Sequence, residues 1–360
     1  TEIESSMKYN RLGQTGLYVS ELCLGTMTFS GQNYFGGAIG TLNQKEATAL
    51  IQRSLEARVN FIDTANVYSL GESEKMTGAA LKELGVKRSD VVIATKVFGR
   101  MAPGPNDTSA SRGHIMDSVS QSLERLQTDH IDLYQIHQSD SVTSVEETMR
   151  ALDDLVRQGM VRYVGVSNWE AWKIMKANGI ADKRGTARVE TMQAYYSIAG
   201  RDLEQDLVPM MQDQNVGCLV WSPLAGGYLA GKYTPGGEKV EEGRRANFDF
   251  PPIDKEKADK IVVAMRPIAK AHGVSVARVA LAWVRSKPFV TSTIIGAKTL
   301  EQLNDNLEAV TLTLTPDEIA TLDDVSADRA QYPHWMIKRN NATRVPTATP
   351  VKMGGPPPKS

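Results

Sequence analysis

Eight short apolar runs, each followed by a helix-patterned stretch, limit this chain more than any other feature. The runs are Glu21–Thr26, Asn60–Thr64, Val91–Lys96, Ile131–His137, Val161–Ser167, Glu190–Tyr195, Cys218–Ser222 and Thr291–Ile295. Each is rich in Val, Ile, Leu, Phe or Tyr and flanked by polar residues or glycine, as strands are. Eight βα units across most of 360 residues point to an α/β chain closed into a (β/α)8 barrel. An open doubly wound sheet shares the alternation, and periodicity alone does not separate the two.

The intervening helices carry their own punctuation. In Ser144–Gln158, Ser144 and Glu147 have capping-box spacing, and Val145, Met149, Leu152, Leu155 and Val156 make one apolar face. Gly159 supplies the stop. Asn43–Arg58 reads the same way, with Asn43 as cap and Glu46 three residues on. A short hairpin over Tyr9–Val19 precedes the first barrel strand, and its Gly13 and Gly16 suit tight turns. The polar connection Lys232–Pro252 is long enough to expect a lid. We place the barrel over residues 7–337 and expect a flexible tail over 338–360, where Pro350, Pro356, Pro357 and Pro358 gather.

Composition excludes several classes. A net charge of -1 gives no basic field for nucleic acid and no polybasic membrane anchor. No apolar run reaches the roughly 18 residues that a bilayer requires. The acidic start Thr1-Glu2-Ile3-Glu4 lacks the order of a signal peptide, and Cys23 and Cys218 are too few for a disulfide framework. A reducing cytoplasm is therefore the expected setting, with a homo-oligomer left open.

Chemistry in such barrels sits at the C-terminal ends of the strands. The second run ends in Asp63 and leads to Tyr68, the third ends in Lys96 and the fourth in His137. A lone strand-end Asp is usually a cap, a lone Tyr a half-buried aromatic, and a lone Lys or His satisfied structure. On three consecutive strands, the four together fit carbonyl reduction. A phenol with a pKa of about 10 is a sluggish acid, and a cation within about 4–6 Å favours its phenolate. Lys96 can supply that cation, Asp63 can hold Lys96, and His137 can hydrogen-bond the substrate oxygen or relay a proton.

These segments, with "GVSN", "WSPLAGGYLAGK" and "IIGAKTLEQLNDN", resemble the aldo-keto reductase superfamily, NAD(P)H-dependent reductases built on this barrel. The resemblance implies a catalytic tetrad of Asp63, Tyr68, Lys96 and His137. It implies that Ser167, Asn168 and Gln193 hold the nicotinamide carboxamide and that Trp221 stacks on the ring. Ser222, Pro223, Leu224, Gly226, Leu229 and Lys232 would follow the pyrophosphate. Gly296, Ala297 and Lys298 precede a helix N-terminus suited to phosphate, and Gln302, Asp305 and Asn306 face the adenosine end. Arg244 and Arg245, in the expected lid, could meet the phosphates. Some branches place Arg at the position of Gln302 to read a 2′-phosphate; here Lys298 is the nearest charge, which favours NADPH over NADH.

Other chemistries find less support. A Rossmann fingerprint needs two glycines separated by one residue, and none of the 29 stands so. "GGYLAGKY" has Tyr233 where a P-loop needs a hydroxyl for magnesium. The five histidines lack metal-ligand pairing, so no metal is expected. A glycosidase pair such as Asp63 and Asp140 would leave Lys96 and Tyr68 unexplained. For the substrate, Phe29, Tyr34, Phe35, Met101, Trp169, Tyr332 and Trp335 are candidate walls suited to an apolar or aryl carbonyl, with sugar aldehydes also open. The same family contains cofactor-sensing subunits of potassium channels, which gives a non-enzymatic reading: an NADPH-binding regulatory subunit with little turnover.

Overall fold

Strands β1 (Tyr9–Arg11) and β2 (Tyr18–Ser20) pair antiparallel as the expected hairpin. The computed structural model describes residues 2–30, 39, 41–233, 245, 248–342 and 344. Eight further strands follow: β3 (Leu22–Gly25), β4 (Phe61–Asp63), β5 (Val92–Val97), β6 (Ile131–Ile136), β7 (Val161–Ser167), β8 (Val189–Tyr195), β9 (Gly217–Trp221) and β10 (Val290–Ile295). They close into one parallel barrel in chain order, with β10 returning to β3. The open-sheet rival is thereby removed.

The barrel interior has two levels because side chains alternate along each strand. Its lower level is apolar: Cys23, Phe61, Ala94, Leu133 and Leu219 pack together, and Leu12 and Val19 of the hairpin close it from below. One step further along β4, β5 and β6 the inward residues become Asp63, Lys96 and Gln135, joined by Ser167 of β7 and Gln193 of β8, all buried. Outside, the helices cover the barrel with the larger apolar core.

Helix ends agree with the sequence in most details. Helix α2 (Gln44–Glu56), which follows the short α1 (Glu2–Ser6), has the full capping box of Asn43 and Glu46. After α3 (Glu72–Glu83) and α4 (Arg112–Leu126) comes α5 (Val145–Arg157), whose Ser144 side chain accepts from the Glu147 amide. The reciprocal half is absent there. The Glu147 carboxylate instead accepts from the backbone N–H of Arg112, capping the neighbouring helix at 3.0 Å. Helices α6 (Ala171–Arg184) and α7 (Leu207–Gln214) continue the alternation. Between β9 and β10, where one helix is expected, the described residues include α8 (Lys255–His272) and α9 (Val276–Arg285). Helices α10 (Leu300–Leu307), α11 (Pro316–Val325) and α12 (His334–Asn341) complete the chain's described part. The last of these crosses the boundary expected at 338. Residues 345–360 lie outside the described part. No helix among the described residues is long and apolar enough to cross a membrane.

Two helix glycines with opposite surroundings test this packing. A Cβ on Gly78 of α3 would lie 2.6 Å from the Leu126 carbonyl of α4, whereas one on Gly179 of α6 meets nothing within 4 Å. Alanine is ordinarily the better helix residue by about 0.5–1 kcal/mol. We expect Gly179→Ala to gain that amount in urea unfolding and Gly78→Ala to lose about 1–3 kcal/mol through overpacking. Equal effects at the two positions would contradict the close α3–α4 approach.

Candidate active site

The upper level of the barrel opens into a cavity of about 650 Å³. Asp63, Tyr68, His137, Ser167, Asn168, Gln193 and Trp221 line one end, and Gly296, Ala297, Lys298, Gln302, Asp305 and Asn306 the other. Lys96 sits beneath, fully buried.

The ammonium of Lys96 is held by three acceptors. It donates to Asp63 Oδ2, to the Thr64 carbonyl at 2.9 Å and to the Tyr68 hydroxyl at 3.3 Å. Burial alone would drive off its proton, but the Asp63 carboxylate and then Tyr68 raise the Lys96 pKa above its ordinary value. Tyr68 stands on a single 3-10 turn, Tyr68–Gly71, which hands the chain from β4 to α3. Within that turn Ser69 and Leu70 are left-handed, a conformation that a packed neighbourhood must enforce. The last residue of the turn, Gly71, packs on Arg125, where a Cβ would lie 2.7 Å from Cδ. Arg125 is held by Glu74, fully buried on α3, which accepts from it at 2.6 Å and from Thr95 at 2.5 Å.

The His137 ring meets Tyr68 edge-on with centroids 5.6 Å apart. Burial, and then the Lys96 charge, pushes its imidazole down to about 3, so it is neutral at ordinary pH. Asn168, left-handed at φ 55°, joins the surrounding groups. Its amide donates to the His137 carbonyl and to Ser167 Oγ, both at 3.1 Å, and its oxygen accepts from Trp221 Nε1 at 3.1 Å.

Beyond Trp221 the backbone turns sharply, with Ser222, Ala225, Gly226 and Gly227 all at positive φ. A Cβ on Gly226 would collide with the Phe250 carbonyl at 2.4 Å, so only glycine admits that segment over the loop. At the far end Gln302 accepts from the Lys298 amide at 2.9 Å, and Asn306 donates to the Gly296 carbonyl at 3.3 Å. Asp305 is tied to Arg278 and Ser275, both at 2.7 Å, so an arginine lies behind its carboxylate.

The Aldo/keto reductase family model matches residues 21–327. The chain belongs to the aldo/keto reductase family. Three relatives align with it over nearly their whole length. A probable voltage-gated potassium channel subunit beta of Arabidopsis thaliana is 36% identical, covering 91% of this chain and 99% of the relative. The uncharacterized oxidoreductase YrpG of Bacillus subtilis is 37% identical, covering 89% and 96%. The versiconal hemiacetal acetate reductase of Aspergillus parasiticus is 34% identical, covering 91% and 99%. Family membership and these relatives support a general oxidoreductase role.

In this aldo/keto reductase several expected wall and cofactor residues stand elsewhere. Phe29 is fully buried, fixed in the core by a bridge to Leu42. Trp169 is buried too, packed against the outer core rather than the cavity. Leu229 turns inward from the 3-10 segment Ala225–Ala230 and is likewise core. Arg245 is spent on structure: its guanidinium donates to the Ala225 carbonyl at 2.8 Å, to Asp249 and to the Pro251 carbonyl. Tyr34, Phe35 and Arg244 lie outside the described residues. Sequence reading passed over Gln135, which touches Asp63, and over Phe248 and Phe250, which line the cavity. Phe250 lies flat on Trp221 at 5.8 Å, and Tyr195 packs on the same ring at 5.2 Å. Trp221 thus has two aromatic partners already. Among the described residues, no group of three or more His, Cys, Asp and Glu could hold a metal.

The depressed His137 pKa gives a signed prediction. Above pH 6.5 the ring is neutral whether folded or not. As pH falls toward 3 the unfolded ring binds a proton that the folded one refuses, so stability is lost across that window. The slope is at most about 1.4 kcal/mol per pH unit, less what the partly exposed ring recovers from solvent. Urea unfolding of His137→Gln should fall less steeply than wild type between pH 6.5 and 4; parallel slopes would mean the ring titrates normally.

Proposed function

We propose that the protein reduces aldehydes or ketones to alcohols with NADPH, using Tyr68 as the general acid. One observation carries this reading: a buried ammonium shared between a carboxylate and a phenol, with the phenol at the edge of the cavity. The cleft also fits a dinucleotide. It runs from that phenol past Trp221 to the N-terminus of α10, and Gly227 and Gly296 leave room along it where a Cβ would meet nothing within 4 Å. Ser167, Asn168 and Gln193 would hold the carboxamide, Ser222 to Leu224 and Lys232 would follow the pyrophosphate, and Lys298 would face a 2′-phosphate. Bound there, NADPH supplies the hydride.

The residues of the chain do the rest. Tyr68 gives its proton to the carbonyl oxygen, and Lys96 stabilises the phenolate left behind. Asp63 keeps Lys96 charged inside the barrel. His137, neutral, can donate a hydrogen bond to the same oxygen and so help place it. Met27, Trp221, Phe248 and Phe250 give the cavity an apolar wall, which suits an apolar or aryl carbonyl. The two free, buried cysteines agree with a reducing, cytoplasmic setting.

A second reading follows from the similarity to the Arabidopsis protein. On that reading the chain binds NADPH as a regulatory subunit with little turnover. NADPH consumption with 4-nitrobenzaldehyde separates the two. Wild type should turn over, and Tyr68→Phe should lose about 100-fold or more in kcat while still binding NADPH. Binding without turnover in wild type would favour the regulatory subunit, and a mutant that keeps its rate would remove Tyr68 from the mechanism.

Cofactor preference has its own check. Lys298→Ala should weaken NADPH roughly tenfold in tryptophan-quenching titrations and leave NADH unchanged, as expected for loss of one charge facing a phosphate. Equal weakening of both would place Lys298 on a phosphate that the two cofactors share.

A further inference from the structure

Gln135 sits one residue before the C-terminal end of β6, fully buried, in a barrel whose lower level is apolar at the same strand, at Leu133. A leucine or methionine would fill that space without removing an amide from water. The amide has partners, however. Its nitrogen donates to Asp63 Oδ1 at 3.1 Å, and Gln193 donates to the same oxygen at 2.8 Å. Gln193 also donates to Gln135 Oε1 at 3.2 Å.

Chemistry fixes which way both amides face. A carboxylate only accepts, so each glutamine must turn its nitrogen to Asp63. That leaves the Gln135 oxygen to accept the second N–H of Gln193. Both hydrogens of Gln193 are then used inside the barrel, and its carbonyl oxygen is the end left for the cavity that it lines. Asp63 in turn has Oδ2 on Lys96 and Oδ1 on two amides.

The neighbouring strand makes room for this. Gln135 pairs in register with Lys96 on one side and with Gly165 on the other. A Cβ on Gly165 would stand 3.1 Å from Gln135 Cγ and 2.2 Å from Thr191 Oγ1. Unlike Gln193, Gln135 does not line the cavity among the described residues. Its hold on Asp63 is therefore independent of what the cavity contains.

We propose that Gln135 is a positioning residue: it fixes the Asp63 carboxylate against Lys96 and turns the carbonyl of Gln193 toward the cofactor's carboxamide. The proposal rests on the reductase reading above. It predicts that Gln135 acts on Tyr68 through Asp63 and Lys96, without touching substrate.

The test is Gln135→Met, which keeps the volume and removes the amide. In the protein without cofactor, the Tyr68 phenolate is followed by absorbance near 295 nm, with the Tyr68→Phe spectrum subtracted. The Tyr68 transition should move up by about one pH unit as Lys96 loses its fixed place, a tenfold change in acid strength. With turnover, kcat should fall roughly tenfold, the weight of one hydrogen bond to a charged group. The same substitution in an Asp63→Asn background should cost nothing more. NADPH should also bind a few-fold more weakly, because Gln193 is released. Gln135→Asn, which keeps an amide but draws it back by one methylene, carries the same expectations if the methionine variant does not fold. An unshifted Tyr68 transition in a folded variant would reduce Gln135 to core filling and overturn the proposal. An inactive wild type whose Tyr68 transition still moves in Gln135→Met would sink the reductase reading and leave the positioning role standing.

Discussion

A full charge inside a closed barrel is the constraint around which this protein is arranged. Removing an ammonium from water costs several kcal/mol even after the protein relaxes, and removing its carboxylate partner costs as much again. Lys96 is fully buried and Asp63 nearly so. Such a pair survives only where every hydrogen and lone pair finds a partner. Lys96 has Asp63, Thr64 and Tyr68; Asp63 has Lys96, Gln135 and Gln193. These donors and acceptors come from five separate stretches of chain, and only barrel closure puts them on one level. The apolar floor beneath them, sealed by Leu12 and Val19 of the hairpin, denies water the other route to the charge.

The strand alternation that builds this arrangement was visible in the sequence because it serves burial first. Each barrel strand is covered on both faces, so its residues form a compact apolar run, and the run stops where the cavity begins. Asp63, Lys96 and His137 stood out as polar residues at those stopping points. Tyr68 was legible by its distance from Asp63, although not its setting, a 3-10 turn with two left-handed residues. Gln135 was passed over for the same reason that the ends were noticed. Inside a strand, "DLYQIH" reads as one polar residue in an apolar run, and nothing local says that its side chain reaches a carboxylate 72 residues away.

Aromatic residues were the least legible. Phe29 and Trp169 follow strand ends, where a sequence shows an aromatic beside polar loop residues and suggests a cavity wall. Whether such a ring faces the cavity depends on how the following loop folds back, which is long-range information. Phe29 is drawn into the core by its pairing with Leu42, and Trp169 is covered by the outer packing. Phe250, by contrast, sits in a polar connection and reads as lid, yet its ring lies on Trp221 and its backbone crosses Gly226. Arg245 shows the same limit for charge. A buried guanidinium needs several acceptors, and the Ala225 and Pro251 carbonyls supply them before any phosphate could.

The two parts of the cavity wall are therefore held to different standards. The groups beneath the phenol are buried, mutually satisfied and carried on strands, so a change at one leaves another with an unmet charge or hydrogen bond. Trp221, Phe248, Phe250 and Lys232 stand at a strand end or on the loops beyond, where side chains can be exchanged at little cost to the barrel. On the reading proposed above, a wall of that kind would let one acid chemistry be offered to many carbonyl compounds. On the same reading the proton donor would be fixed by the fold, whereas the shape it serves is set by residues that the fold does not depend on.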